Sequence, residues 1–332
     1  MARAHRVTSQ DVAERAGVSR ATVSYVLNDA SQPISATTRA RVRAAAEELG
    51  YRPHAAARQL RRGVSDLVLM ALPPWPLSHS LNLCVATVTR RLSEHGYTAL
   101  VDAATDDVAA LEHTLDRVQP VALTASAEHL SAPFVDRLRS AGTRAVLGFS
   151  DRPLGFASAV VIDQSALTRV AMAHLAARGR RSVTALMPSD PEYRWFREGR
   201  QVGAQEAADE LGMVLTVAEC PLDHDRVREV VGTALAGPEP PDAVLAYNDD
   251  YALLALRALI DAGVRVPDDV AVIGCDNLPV AELFAPRLTT IHVDMVELGT
   301  RIADAIHQLI ATDEGPTIVT MPTPVVIERD TV

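Results

Sequence analysis

The chain has 332 residues, 48% hydrophobic and 22% charged, a balance that excludes a disordered polymer and is long enough for more than one compact lobe. Its formal charge of −10 is unevenly spread: residues 1–62 hold 11 Arg against 5 acids (net +6), and residues 63–332 hold 21 Arg against 37 acids (net −16), the pattern of a polyanion-binding module joined to something else. No stretch reaches the roughly 20 apolar residues of a membrane span, and Met1-Ala-Arg-Ala-His-Arg-Val7 lacks the apolar middle of an export signal, so a cytoplasmic protein is expected.

In the basic head, Thr8 can cap a first helix whose apolar side is Val12, Ala13 and Ala16, with Asp11 well placed near the helix dipole. After Gly17, Ser19 can cap a second helix that turns Val23, Val26 and Leu27 inward. Two short helices joined by Gly-Val-Ser make a helix-turn-helix. The third helix begins at Ser35, carries Val42, Ala45, Ala46 and Leu49 at helical spacing, and ends at Gly50. The outer side of the second helix offers Arg20, Ala21, Thr22, Ser24 and Tyr25 to a major groove, where Thr22 and Ser24 suit phosphates and Arg20, Ala21 and Tyr25 suit bases. The competing reading is an ordinary solvated three-helix bundle.

In Tyr51-Arg-Pro-His-Ala-Ala-Ala-Arg-Gln-Leu-Arg-Arg-Gly63, Pro53 fits a first helical turn and the residues from 55 to 62 are strong helix formers. The segment spans only about two turns, too few for a stable free helix, so it should fold on a partner. Leu60 amid Arg58, Arg61 and Arg62 suits an apolar wedge in a minor-groove base step. A plain linker is the alternative.

From Asp66 onward apolar runs alternate with helical patterns. Strands are expected at 67–72, 97–101, 121–124, 145–149, 160–162, 183–187, 243–247 and 270–274. Helices are expected at 81–95, 164–177, 197–211, 226–235 and 249–262. Such alternation means parallel sheets with helices on both faces, and the strand count exceeds what one sheet comfortably holds. Two lobes are therefore expected, with a ligand in the crevice at the carboxyl ends of the strands. Cys84, Cys220 and Cys275 form no Cys-x-x-Cys and read as small buried apolar residues; neither a metal nor a cofactor is expected.

The head resembles the lactose-repressor family of bacterial transcription regulators. The resemblance rests on Asp11-Val-Ala-Glu-Arg-Ala-Gly-Val-Ser-Arg-Ala-Thr-Val-Ser-Tyr-Val-Leu-Asn28, then Thr38-Arg-Ala-Arg-Val42, Leu49-Gly-Tyr-Arg-Pro53 and Ala57-Arg-Gln-Leu60. It places Arg20, Ala21 and Tyr25 on base-reading positions and Leu60 on the leucine that opens the central step of a palindromic operator. The whole candidate DNA set is Thr8, Ser19, Arg20, Ala21, Thr22, Ser24, Tyr25 and Asn28, with His54, Ala57, Arg58 and Leu60 in the hinge; His54 stands where the family usually has Asn. In the body the resemblance continues from Tyr247-Asn-Asp-Asp250 to Pro286-Arg-Leu-Thr-Thr290, and through Glu297-Leu-Gly299 and Pro322-Thr-Pro-Val-Val-Ile327. It weakens between Pro73 and Phe149, where Ser78-His-Ser-Leu81 replaces the family's Asn-Pro-Phe-Phe.

The fold it implies is α/β: a three-helix helix-turn-helix head (1–52) and a hinge helix (53–63), then a two-lobed periplasmic-binding-protein-like body of doubly wound parallel sheets (64–332). The first lobe covers about 64–160 and 293–328, and the second about 161–292. The chain crosses between lobes three times, and its last helix and strand return to the first. Arg200, Asn248 and Asp276 match the family's effector contacts. Arg200 can fork toward vicinal hydroxyls or a carboxylate, Asn248 can donate and accept, and Asp276 can accept from two hydroxyls. The alternatives are that Asn248 and Asp249 cap the next helix, a role favoured for Asp249, and that Arg200 pairs with a nearby carboxylate. Trp75 and Trp195, with Tyr193 and Phe196, are placed to stack on a ligand or to serve as core rings.

The function expected from these residues is a dimeric repressor that binds a palindromic operator in double-stranded DNA and answers to a small-molecule effector, a sugar or related metabolite. The chain ends soon after its last strand, so a dimer is expected rather than a coiled-coil tetramer. An enzyme acting on a polar metabolite is the second reading, but Gly148-Phe-Ser-Asp-Arg152 lacks the last Gly of a nucleophile elbow and no phosphate-cradling or dinucleotide motif occurs. A transport-type binding protein would lack the basic head.

Overall fold

The computed structural model describes residues 7–27, 33–51, 65–72, 78–103, 107–312 and 315–332. They fall in two compact units, Met1–Ser65 and Asp66–Val332. The expected hinge helix lies outside the described residues.

In the head, α1 (Ser9–Ala16) starts at Thr8. The Thr8 hydroxyl accepts from the Asp11 amide at 3.4 Å and Asp11 Oδ2 accepts from the Thr8 amide at 2.7 Å, so the two ends of the first turn satisfy each other. Gly17 closes the helix at φ 62°, left-handed backbone that an L side chain disfavours. Ser19 Oγ accepts from the Thr22 amide at 3.1 Å and caps α2 (Arg20–Leu27); Ser35 caps α3 (Ala36–Glu48) in the same way through Thr38. Val12, Ala13, Ala16, Val23, Val26, Val42, Ala45 and Ala46 form the shared core. The alanines let helices of eight residues approach closely enough to bury the valines. An exposed Arg15–Glu48 ion pair at 2.7 Å joins α1 to α3 and adds little stability.

The body begins with β1 (Leu67–Ala71), α4 (His79–Glu94), β2 (Thr98–Asp102), α5 (Val108–Val118), β3 (Ala122–Ser126), α6 (Ala132–Ser140), β4 (Ala145–Ser150) and β5 (Ser158–Val161). The chain then crosses into a second alternation: α7 (Gln164–Ala177), β6 (Ser182–Pro188), α8 (Arg194–Leu211), β7 (Val214–Cys220), α9 (His224–Ala236), β8 (Ala243–Ala246), α10 (Asp249–Asp261), β9 (Ala271–Cys275), α11 (Pro279–Leu283) and β10 (Thr289–His292). It returns with α12 (Met295–Ala311) and β11 (Ile318–Thr320), and crosses once more to β12 (Val325–Ile327).

The first sheet has the order β11-β5-β4-β3-β1-β2, every pair parallel. The second repeats the plan as β12-β10-β9-β8-β6-β7, with β10 and β12 antiparallel. Each order reverses beside its first strand, between β1 and β3 and between β6 and β8, and there the loops diverge to open a crevice at the carboxyl ends. Leu69, Leu123 and Leu147 are fully buried, each contributing about 1.5–3 kcal/mol. On α12, Leu298, Ile302, Ile306 and Leu309 recur at helical spacing and face α4 and the first sheet. In the second lobe α7 and α8 touch at Gly203, where a Cβ would meet the Ser165 carbonyl oxygen at 2.2 Å.

One expectation needs correction. The last helix and β11 do return to the first lobe, but the final strand, β12, belongs to the second, so a first-lobe boundary near 328 is too late. The cause is edge satisfaction: without β12, β10 would end the sheet with unpaired backbone. The buried Thr331 hydroxyl also accepts from the Thr289 amide at 2.8 Å and donates to the Val272 carbonyl at 2.7 Å.

Candidate functional sites

On α2, Val23 and Val26 point into the head core, which leaves Arg20, Ala21 and Tyr25 on the exposed face, Tyr25 at 42% exposure. Thr22 and Ser24 are half-buried at its flanks. Three expected contacts are also engaged locally: Thr8 in its capping box, and Ser19 and Thr22, whose hydroxyls lie 2.9 Å apart. Asn28, His54, Ala57, Arg58, Leu60 and Trp75 lie outside the described residues.

In the body, a cavity of ≈ 280 Å³ lies between the lobes. It brings Arg200, Asn248 and Asp276 together with Ser78 and Ser80 from the start of α4. Arg200 is buried on α8. Its Nε donates to Gln164 Oε1 at 2.9 Å, Nη1 donates to the Tyr247 carbonyl, and the guanidinium lies 4.1 Å over the Tyr247 ring. No carboxylate pairs with it at salt-bridge distance among the described residues; an amide, a carbonyl and a ring hold it instead. Asn248, at the end of β8, caps α10: Oδ1 accepts from the Tyr251 amide at 3.1 Å, and Nδ2 donates to Asp250 Oδ2 at 3.4 Å.

Asp276 follows β9 with φ 101°, and Asn277 with φ 51°, two consecutive non-glycine residues in left-handed backbone. Such conformations cost about 1–3 kcal/mol each and persist only when the surroundings impose them. Here the Asp276 amide donates to the Ile291 carbonyl at 2.8 Å, and Asn277 Oδ1 accepts from Arg329 Nη2 at 2.8 Å. Beneath them sits Asp249. It was expected to cap α10, but Asn248 does so, and Asp249 is instead the first residue of the helix, with no exposed surface. Its carboxylate accepts from the Leu278 amide at 2.7 Å and the Thr290 hydroxyl at 2.5 Å, which fixes the two sides of the Asp276 turn. Burial pushes its carboxyl up to about 7, with Asp276 and Asp250 adding to the shift against these hydrogen bonds.

Trp195 is not among the lining residues. Tyr193 and Phe196 are, because residues 193, 196 and 200 share one helical face, whereas 195 is turned about 100° from 196. The Trp195 ring packs edge-on against Phe196 at 5.0 Å. Gln164, Tyr247 and Asp250 also line the cavity and were missed by sequence reasoning. Tyr247 and Asp250 flank Asn248 at the same strand end, a signal available in the sequence; Gln164 carried none, since only the fold sets it against Arg200. The three cysteines are buried and free. Among the described residues no group of three His, Cys, Asp or Glu is arranged to hold a metal, and no helix is long and apolar enough to cross a membrane.

A helix-turn-helix head and a two-lobed body with a cleft between its lobes define a ligand-responsive regulator of the periplasmic-binding-protein type. The family of bacterial regulatory proteins of the lacI type matches residues 8–54, and the periplasmic binding protein-like domain matches 172–332. The lactose operon repressor of Escherichia coli (strain K12) is 30% identical over 324 residues, covering 91% of this chain and 84% of the relative. The crystal structure of the Lac repressor dimer bound to operator and the anti-inducer ONPF is similar at TM-score 0.80 and 28% identity, over 98% of this chain and 99% of that one. A complex of the transcriptional regulator CelR with cellobiose is similar at TM-score 0.64 and 28% identity, over 98% and 100%. The chain belongs to the lacI family, a family of transcription regulators rather than enzymes.

Proposed function

We propose that this chain is a cytoplasmic repressor that binds a palindromic operator as a homodimer and is controlled by a small polar effector, a sugar or related metabolite, held in the cleft. Residues 1–52 serve as the DNA-binding domain, 53–63 as the hinge and 64–332 as the effector-binding and dimerisation domain. The observation that carries the reading is the convergence of Arg200, Asn248 and Asp276 in one cavity of a body joined to a helix-turn-helix head. Arg20, Ala21 and Tyr25 are the proposed base contacts, and Thr8, Ser19, Thr22, Ser24 and Asn28 the accompanying backbone contacts. His54, Ala57, Arg58 and Leu60 belong to the proposed hinge contact.

An effector that favours one angle between the lobes shifts whether two hinges can pair on DNA, and its leverage is limited by its differential affinity for the two states. The test selects operator DNA from a random palindromic library, then screens metabolites for release or enhancement of binding in a gel-shift assay. Asp276→Ala should lose the effector response and keep operator affinity, and Leu60→Ala should do the reverse. A response unchanged in Asp276→Ala refutes the pocket assignment, and failure to enrich any palindrome refutes the repressor reading.

A further inference from the structure

We infer that the cleft excludes anions: its effector is an uncharged or amine-bearing compound with one apolar face, and Asp250 is the residue that sets this discrimination. The inference rests on the cleft being the effector site. Two carboxylates, Asp250 and Asp276, line the cavity against a single guanidinium, that of Arg200, among the described residues. That guanidinium is already committed to Gln164, to the Tyr247 carbonyl and to the Tyr247 ring, so only part of its donor set faces a ligand. The other arginines of the same helix start are spent elsewhere: Arg194 pairs with Glu198 at 2.7 Å, and Arg197 with Glu219 at 3.0 Å and the Pro188 carbonyl at 2.8 Å.

The Tyr193 corner of the cleft is acidic beyond its lining. Burial raises the Tyr193 phenol, and Asp190, Asp250, Glu192 and Asp276 all push it further in the same direction. A phosphate or carboxylate placed there meets like charge, which costs affinity. A hydroxyl donates to the carboxylates, and a protonated amine gains from them and from the neighbouring rings of Tyr193 and Phe196. The lining also includes the apolar side chains of Leu81, Val293, Met295, Leu298 and Met321, so part of the ligand's surface is hydrocarbon. Asp250 is the exposed carboxylate of the two, linked to Asn248 Nδ2 at 3.4 Å, and can be changed without opening the core.

The experiment uses the full-length chain beside its Trp75→Phe variant, in which Trp195, edge-on to Phe196 of the cavity wall, is the one tryptophan, and the order of affinities is compared in both. Benzylamine, benzyl alcohol, benzoate and phenyl phosphate are titrated while tryptophan emission is followed. The expected result is binding of the amine and the alcohol about tenfold tighter than of the acid and the phosphate, with Asp250→Asn closing that gap. Asp276→Asn narrows it independently. Equal or tighter binding of benzoate or phenyl phosphate overturns the inference, and so does failure of all four to perturb Trp195. Operator binding of the same protein, read by gel shift, tests the repressor reading separately.

Discussion

Replacing Asp249 by Asn should make the body more stable at neutral pH and leave it nearly unchanged below about pH 4. Asp249 is fully buried, and its carboxyl is pushed from 3.8 up to about 7 by desolvation. In the unfolded chain the same group releases its proton near pH 4. Between those values the folded chain holds a proton that the unfolded chain has lost, so the folded state is at its most stable, as far as this group is concerned, below pH 4. Stability then falls by about 1.4 kcal/mol per pH unit until about pH 7, above which both states are ionised and the loss is complete.

Protonated Asp249 can accept from the Leu278 amide and donate to Thr290 Oγ1, and Asn offers the same acceptor and donor in nearly the same volume. The variant therefore resembles the protonated parent and lacks its titration. Urea unfolding of both proteins, followed through tryptophan emission at pH values from 5 to 8, should show the variant gaining about 2–3 kcal/mol on the parent between pH 5 and pH 7 and keeping that gain above. A difference that is constant with pH, or that grows toward acid, refutes the assignment of Asp249 as a buried carboxyl that resists ionisation.

Thr8→Ala removes the capping box of α1 and should cost the head about 1 kcal/mol, seen as a lower thermal midpoint of its far-ultraviolet signal; no shift would mean the box is not formed in solution. Gly203→Ala forces a methyl onto the Ser165 backbone and should destabilise the second lobe by about 1–3 kcal/mol or more, since backbone cannot swing aside as a flexible side chain would; chemical unfolding near the parental midpoint would contradict the close approach of α7 and α8. Tyr25→Ala, at an exposed position outside the head core, should keep the head's melting behaviour and weaken operator binding by about 1–3 kcal/mol; undiminished affinity would remove Tyr25 from the base-reading set.

In the head each short helix carries its own start and stop, as Thr8, Ser19 and Ser35 cap and Gly17 turns the chain, so local chemistry specified the structure before any packing was known. The buried central strands of both sheets, such as 67–71 and 271–275, were equally plain because both faces are covered and the residues are uniformly apolar. Harder were the strands at or near the sheet edges. β7 is largely exposed, and β10, β11 and β12 have only three or four residues each, too few for a period to register. Their positions are decided by partners distant in sequence.

The cleft divides in the same way. Asn248 and Asp276 were legible through the family resemblance, and their place after apolar strand runs agrees with it, since in a doubly wound sheet strand ends face the crevice. Trp195 was misplaced by proximity in sequence, since neighbours on a helix point about 100° apart.

By itself, then, the sequence determined the division of this protein into a basic helix-turn-helix head and an acidic α/β body, because capping, periodicity and net charge are local or additive properties. Only the tertiary structure decided that the final strand crosses back to close the second sheet, that Asn248 rather than Asp249 caps α10, and that the Arg200 guanidinium is held by Gln164 and Tyr247. The strand pairing and the hold on Arg200 are settled by residues tens of positions apart, Gln164 and Tyr247 lying 36 and 47 positions from Arg200, and the choice between Asn248 and Asp249 by the buried partners Leu278 and Thr290 that claim the Asp249 carboxyl.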